Sequence, residues 1–169
     1  INVDDIDVYV MPTAGGAARN LSAGNVGVDG SPLYSPDGRH LVFLQQRISG
    51  FYAAKARPML HDLRSGDTRE LHADWDRSAS GLAWSRDGRT LYGAIDDAGT
   101  TRVYELPLKG EPRAITGESS FSGLSVAPGA IAALRQSFTE PPTLVSLDPR
   151  GGKARKLSTI NDALLADTA

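Results

Sequence analysis

The chain's 169 residues are 40% hydrophobic and 22% charged, a length and composition that suit one globular domain with a sizeable core and exclude intrinsic disorder. With 18 Lys+Arg against 20 Asp+Glu the formal net charge is −2, and no block of like charge stands out, so the basic footprint of a nucleic-acid binder is absent. The lack of cysteine excludes a disulfide scaffold, a Cys-ligated zinc or iron–sulfur centre and a thiol nucleophile, and it leaves the compartment open.

No apolar run approaches the roughly 18 residues that span a bilayer, and no signal peptide is visible, so no membrane partner is expected. The first residue is Ile1 rather than Met, which leads us to expect a piece of something longer. The first predicted element is a pair of strands about a Gly-containing turn, Val8-Tyr-Val-Met-Pro-Thr-Ala-Gly-Gly-Ala-Ala-Arg-Asn-Leu-Ser22. The second is a hairpin of another kind, Ser31-Pro-Leu-Tyr-Ser-Pro-Asp-Gly-Arg-His-Leu-Val-Phe-Leu44. Here Pro36 presets φ, Asp37 bonds its own backbone and Gly38 takes a positive φ.

The two kinds then alternate. The first recurs as Pro58–Leu71, Val103–Thr116 and Leu144–Ser158, with closing anchors Leu21, Leu71, Ile115 and Leu157 spaced 50, 44 and 42 residues apart. The second recurs as Leu82–Tyr92 and, worn to Pro128-Gly129, as Leu124–Ala133. Each period therefore holds four short strands, the content of one propeller blade. The expected fold is all-β, a partial β-propeller over 1–159 of about three and a half four-stranded antiparallel blades: a half blade at 6–22 and blades at 31–72, 80–116 and 121–158. Helical periodicity is absent apart from one terminal turn at Asp162-Ala-Leu-Leu-Ala166. Three and a half blades do not close a ring, so the remainder must come from a longer parent or from a second copy, two half propellers making seven blades.

In a four-stranded meander the first and third turns share one face of the disc, and the second turn and the blade-to-blade link share the other. Tight turns at 37–38, 65–66, 87–88 and 151–152 fall on the first face. The loops at about 46–57, 72–79, 96–101 and 136–142 fall on the second, where function on a rigid scaffold concentrates. The candidate interface or substrate-facing residues there are Arg47, Phe51, Tyr52, Trp75, Asp76, Phe138 and Glu140.

No catalytic, cofactor or metal residues are assigned. Gly-x-Ser-x-Gly does not occur, and Ser119, Ser120 and Ser122 in Gly117–Gly123 lack its spacing and suit turn and capping roles. His40, His61 and His72 are not at metal-ligand spacing and are expected at the surface or rim. Asp4-Asp5-Ile6-Asp7 and Asp96-Asp97 lack the order of an EF-hand loop and read as turn and edge solvation. Asp87-Gly88 in Ser85-Arg-Asp-Gly88 departs from the Asp-box spacing of sialidase-type propellers, and the dipeptide Trp75-Asp76 occurs once, which does not support a WD40 array. Trp84, Tyr34, Phe43, Tyr92 and Tyr104 are expected as inter-blade core rather than as a ligand platform.

Ser35-Pro-Asp-Gly-Arg-His-Leu-Val-Phe43 resembles the propeller repeat of TolB-type proteins and of the prolyl oligopeptidase family of serine peptidases. Arg47–Leu63, Trp75–Ser78 and Phe138–Leu144, with Leu157-Ser-Thr-Ile-Asn161 and Leu164-Leu165, look like the closing blades of dipeptidyl or acylaminoacyl peptidases of that family. The resemblance implies that 160–169 is a linker toward an α/β-hydrolase domain of the same parent chain, that the Ser, Asp and His of that parent lie after Ala169, and that this chain is a non-catalytic cap restricting access to small peptides. Paired glutamates that would grip a substrate amino terminus have no match here, which counts against strict dipeptidyl activity. The alternatives are a TolB-like interaction propeller and a carbohydrate-active or sugar-binding propeller.

Overall fold

The computed structural model describes residues 5–166, which form two compact units that divide between Ala79 and Ser80. In the first unit, β1 (Tyr9–Val10) and β2 (Arg19–Asn20) make a two-stranded sheet, and β3 (Asp29–Tyr34), β4 (His40–Gln45), β5 (Arg57–Asp62) and β6 (Thr68–Glu70) make an antiparallel meander in sequential order. An isolated parallel bridge, Ile6 to Val28, ties the two sheets. Val8 of the first sheet, with Val10 and Leu21 beside it, packs on Leu41, Phe43 and Met59 of the second.

The second unit holds two such meanders. One is β7 (Ala83–Trp84), β8 (Thr90–Asp97), β9 (Thr100–Pro107) and β10 (Arg113–Ala114); the other is β11 (Ser120–Ala127), β12 (Ala130–Gln136), β13 (Thr143–Leu147) and β14 (Arg155–Lys156). They close on each other through Val103, Ile115, Phe121, Ile131, Ala133, Val145 and Leu147, with Tyr92 at the margin. A single turn of helix, α1 (Asp162–Leu165), follows. The fold is an all-β partial propeller of four-stranded antiparallel blades and a two-stranded half blade.

Two sequence features explain why the repeats fold alike. In Ser35-Pro-Asp-Gly the Ser35 hydroxyl donates to Asp37 Oδ1 at 2.6 Å and accepts from His40 N at 2.9 Å, while Asp37 also accepts from Arg39 N at 3.1 Å. Ser85-Arg-Asp-Gly repeats this lock at 2.7, 3.0 and 3.1 Å. The serine hydrogen bond, then the backbone N–H, hold Asp37 and Asp87 below the usual carboxylate range. The worn third copy keeps only the geometry: Pro128 leads into Gly129 at φ 74°, the type II pattern.

The second feature is the closing anchor, which donates to the strand before it at 2.8 Å in all four copies: Leu21 to Val8, Leu71 to Pro58, Ile115 to Val103 and Leu157 to Leu144. The residue after the anchor answers the same strand residue's N–H. Ser22, Thr116 and Ser158 accept from Val8, Val103 and Leu144 at 2.9, 2.9 and 3.2 Å. Pro58 has no N–H, and there the hydroxyl is replaced by His72.

Three expectations are corrected. His61 is not at the rim: it is 3% exposed, because it continues the buried face of β5 that Met59 begins, opposite Leu41. Tyr34 is not core but 52% exposed: the apolar contact of the half blade runs over Leu41, Phe43 and Met59 of β4 and β5 and does not include it. Residues 96–101 are no irregular loop. Asp96–Thr101 and Asp97–Thr100 are paired, and Ala98 and Gly99 turn at φ 49° and 77°, the positive values of a two-residue hairpin of the primed type. Trp84, Phe43 and Tyr92 are buried, and Tyr104 is half-buried.

Candidate functional site

In the first unit the loop ends of the blade are the β4–β5 connection and the stretch after β6. The β4–β5 loop is pinned from inside: Gln46 Nε2 donates to the carbonyls of Tyr52 at 3.0 Å and Ala54 at 2.7 Å, and Asn25 Nδ2 donates to the Gln46 carbonyl at 2.9 Å. That carbonyl lies against Gly27, where a Cβ would sit 2.2 Å from the oxygen, so only glycine fits. The pinned loop holds Ile48, Phe51 and Tyr52 out, at 57%, 50% and 93% exposure. Between them and Val28 is a groove of about 290 Å³.

Arg47 is a strut rather than a free recognition group. It donates to Glu70 Oε2 at 2.8 Å and Gln45 Oε1 at 3.1 Å, while Arg57 takes Glu70 Oε1 at 2.9 Å. Burial opposes ionisation of Glu70, but the Arg57 hydrogen bond and the charge of Arg47 outweigh it and hold the carboxyl below its ordinary range. Trp75 is half-buried; Lys55 Nζ caps its carbonyl and that of Ala73. Asp76 is exposed, and its carbonyl accepts from Arg77 at 2.8 Å.

In the second unit the corresponding end is the β12–β13 loop. Arg135 places one guanidinium nitrogen 2.8 Å from both carboxylate oxygens of Glu140, and Ser137 N donates to the Glu140 carbonyl at 2.9 Å. Glu140 is thus a pin, and the loop carries Phe138 at its tip, fully exposed. Beneath the ring, Thr100, Glu118, Ser119, Ser120 and Gln136 line a groove of about 340 Å³. A larger cleft, about 470 Å³, opens at the opposite, tight-turn end between Tyr92, Pro128 and Pro149. Its carboxylates are engaged: Asp87 in the serine lock, and Asp148 by Arg150, whose side-chain and backbone hydrogen bonds bring it down to about 2.

The expected residues therefore sort into exposed apolar groups (Phe51, Tyr52, Phe138) and groups that stiffen the loops carrying them (Arg47, Glu140). Gln46, Asn25 and Arg135 were not singled out from the sequence. Arg135 could have been, since it follows Ile131 and Ala133 on the buried face of β12 and a cation there needs a partner. Among the described residues no three His, Asp or Glu side chains converge as metal ligands. Asp4 lies outside the described residues. Asp7 accepts from Asn20 and Ser22, Asp96 from Thr101, and Asp97 from Tyr104.

No family model matches the chain. Dipeptidyl-peptidase 5 of Porphyromonas gingivalis is 28% identical over 161 residues, which is 94% of this chain and 24% of that protein. The chain spans about a quarter of the length of the curated relatives that it matches end to end. Among solved structures, acylaminoacyl peptidase of Pyrococcus horikoshii superposes with a TM-score of 0.74 at 19% identity, covering 96% of this chain and 24% of that one. The β-propeller domain of the trilobed protease of Pyrococcus furiosus gives 0.68 at 18% identity, over 95% and 45%. TolB of Acinetobacter baumannii gives 0.65 at 14% identity, over 90% and 37%.

Proposed function

From a chain homologous to a stretch of dipeptidyl-peptidase 5 and built of propeller blades, we propose that it is the propeller portion of a prolyl oligopeptidase-type serine peptidase. It holds no reactive group of its own. It caps the α/β-hydrolase domain of the same parent chain and admits peptides small enough to enter. The observation that carries this reading is the sequence similarity over 94% of the chain, links and loops included. The fold by itself is shared with TolB and does not separate a peptidase from an interaction propeller.

Selectivity by size needs only a rigid wall and an anchored approach. The pinned loops supply both: partly buried hydrogen bonds fix the backbone, and Phe51, Tyr52 and Phe138 stand out as apolar anchors of the kind that dominate interfaces. These three face the hydrolase domain or the entering peptide, as do Trp75 and Asp76 of the first unit.

The test is a pair of assays. The chain as given, purified, is expected to turn over no aminoacyl or dipeptidyl reporter. The intact parent is expected to cleave such a reporter and to spare the same peptide displayed on a folded protein. Hydrolysis by the isolated chain, or equal cleavage of the free and the displayed peptide by the parent, overturns the reading.

A further inference from the structure

The contact between the half blade and the first blade carries a titratable group that the proposed capping role does not use. His61 stands on the face of β5 shared with Met59, the face that packs on Val8, Val10 and Leu21. Its Nδ1 lies 2.8 Å from Thr68 Oγ1, and its Nε2 is buried with no hydrogen-bond partner among the described residues. Three charged groups act electrostatically on the ring: Arg19 from β2, Asp62 at the end of β5 and Asp67 from the β5–β6 turn. Asp62 is already occupied, accepting from the backbone N–H of Arg64 at 2.8 Å and Ser65 at 2.9 Å and lying 3.7 Å from His40. The neighbours from β4 and β6 are Leu41 and Thr68, neither charged.

We infer that this contact is an acid-labile seam: protonation of His61 frees β1 and β2 from the blade, while the second unit stays closed. The imidazolium carries an N–H on both ring nitrogens, that on Nε2 facing no acceptor whichever tautomer it forms from, and adds a second positive charge to the field of Arg19. Burial first, and the charge of Arg19 second, hold the imidazole below its ordinary value against the pull of Asp62 and Asp67. A depressed imidazole means that the opened form binds the proton first. The seam therefore keeps full strength above pH 6.5, the ordinary value, and loses it as pH falls from there to the folded-state value.

Amide hydrogen exchange on the full chain between pH 7.5 and 5, corrected for the intrinsic pH dependence of exchange, reads the seam directly. The opening constant of the Asp29 amide, which donates to the Ile6 carbonyl across the seam at 2.7 Å, is expected to rise as pH falls from the ordinary value to the folded-state value, by at most about tenfold per pH unit, while Val103 and Ile115 hold theirs. His61→Gln, which keeps a polar partner for Thr68 without a titratable ring, removes the rise. Arg19→Gln, at an exposed position, shrinks it. An unchanged rise in His61→Gln, or equal loss of protection in both units, overturns the inference; should His61→Gln not fold, an unchanged rise in Arg19→Gln does so alone.

Discussion

Inside the second unit, two sheets meet over Val103, Phe121, Ile131, Val145 and their neighbours, all apolar but for the marginal Tyr92. Inside the first unit, Val8 meets Leu41, Phe43 and Met59 in the same way, yet this smaller apolar contact is bordered by ionisable groups. His61 with Arg19 stands at its turn end. At its loop end Asp29, fully buried, accepts from Asn25 at 2.9 Å and Gln45 at 3.0 Å. One repeat thus supports two kinds of seam, and the difference lies in what borders the apolar stripe. A seam of hydrocarbon alone is indifferent to pH, whereas one edged by buried acid and base answers to it.

The sharpest way to break the comparison is to open each seam. Phe43→Ala and Ile131→Ala remove fully buried side chains and are expected to cost about 3–5 and 2–5 kcal/mol in urea unfolding. A cost below about 1 kcal/mol for Phe43→Ala would mean that the half blade is not packed on the blade at all.

Asp29→Asn comes next. It turns one acceptor oxygen into a donor facing one of the two amide donors, and about 1–3 kcal/mol of stability is expected to go. The pH signature runs opposite to that of His61. Burial raises Asp29 above 3.8 despite its hydrogen bonds, so the folded state binds the proton first, and stability falls as pH rises from 3.8 to the folded-state value. The substitution removes that slope; a slope that survives it belongs to another carboxyl.

A finer contrast lies in the two serine locks. Ser35 is buried and Ser85 is only half-buried. Ser35→Ala is expected to cost about 1–2 kcal/mol and Ser85→Ala about 0.5–1 kcal/mol. Each releases its aspartate upward toward the usual range, which NMR titration of the carboxyl carbon detects. Smallest in stability is Phe138→Ala, within about 0.5 kcal/mol because nothing is packed on the ring. Its expected effect is functional, a weaker grip of the parent on peptide substrate; kinetics indistinguishable from the original would remove Phe138 from the anchor set.

Much of the fold could be read from the residues because turn chemistry is local: Pro36-Asp37-Gly38 and Asp87-Gly88 name their hairpins, and the anchors Leu21, Leu71, Ile115 and Leu157 set the period. The hairpin at Ala98-Gly99 escaped notice because alanine at positive φ is uncommon and leaves no Asn-Gly mark. His61 and Tyr34 were misjudged for a different reason. Alternation tells which residues share a face, but not whether a neighbouring sheet covers it. The candidate site was legible in its exposed aromatics and not in its pins, since Gln46 and Asn25 act on loop carbonyls that no pattern of residue types announces.

The exchange of hydroxyl for imidazole opposite Pro58 has an evolutionary corollary. Restoring an ordinary residue at 58 would strand an amide hydrogen unless position 72 became Ser or Thr in the same step, and a hydroxyl placed at 72 alone would find no hydrogen to receive. Drift at this pair is therefore compelled to move two letters together, a signature of compensated change that should be searched for as covariation in any set of sequences built on this repeat.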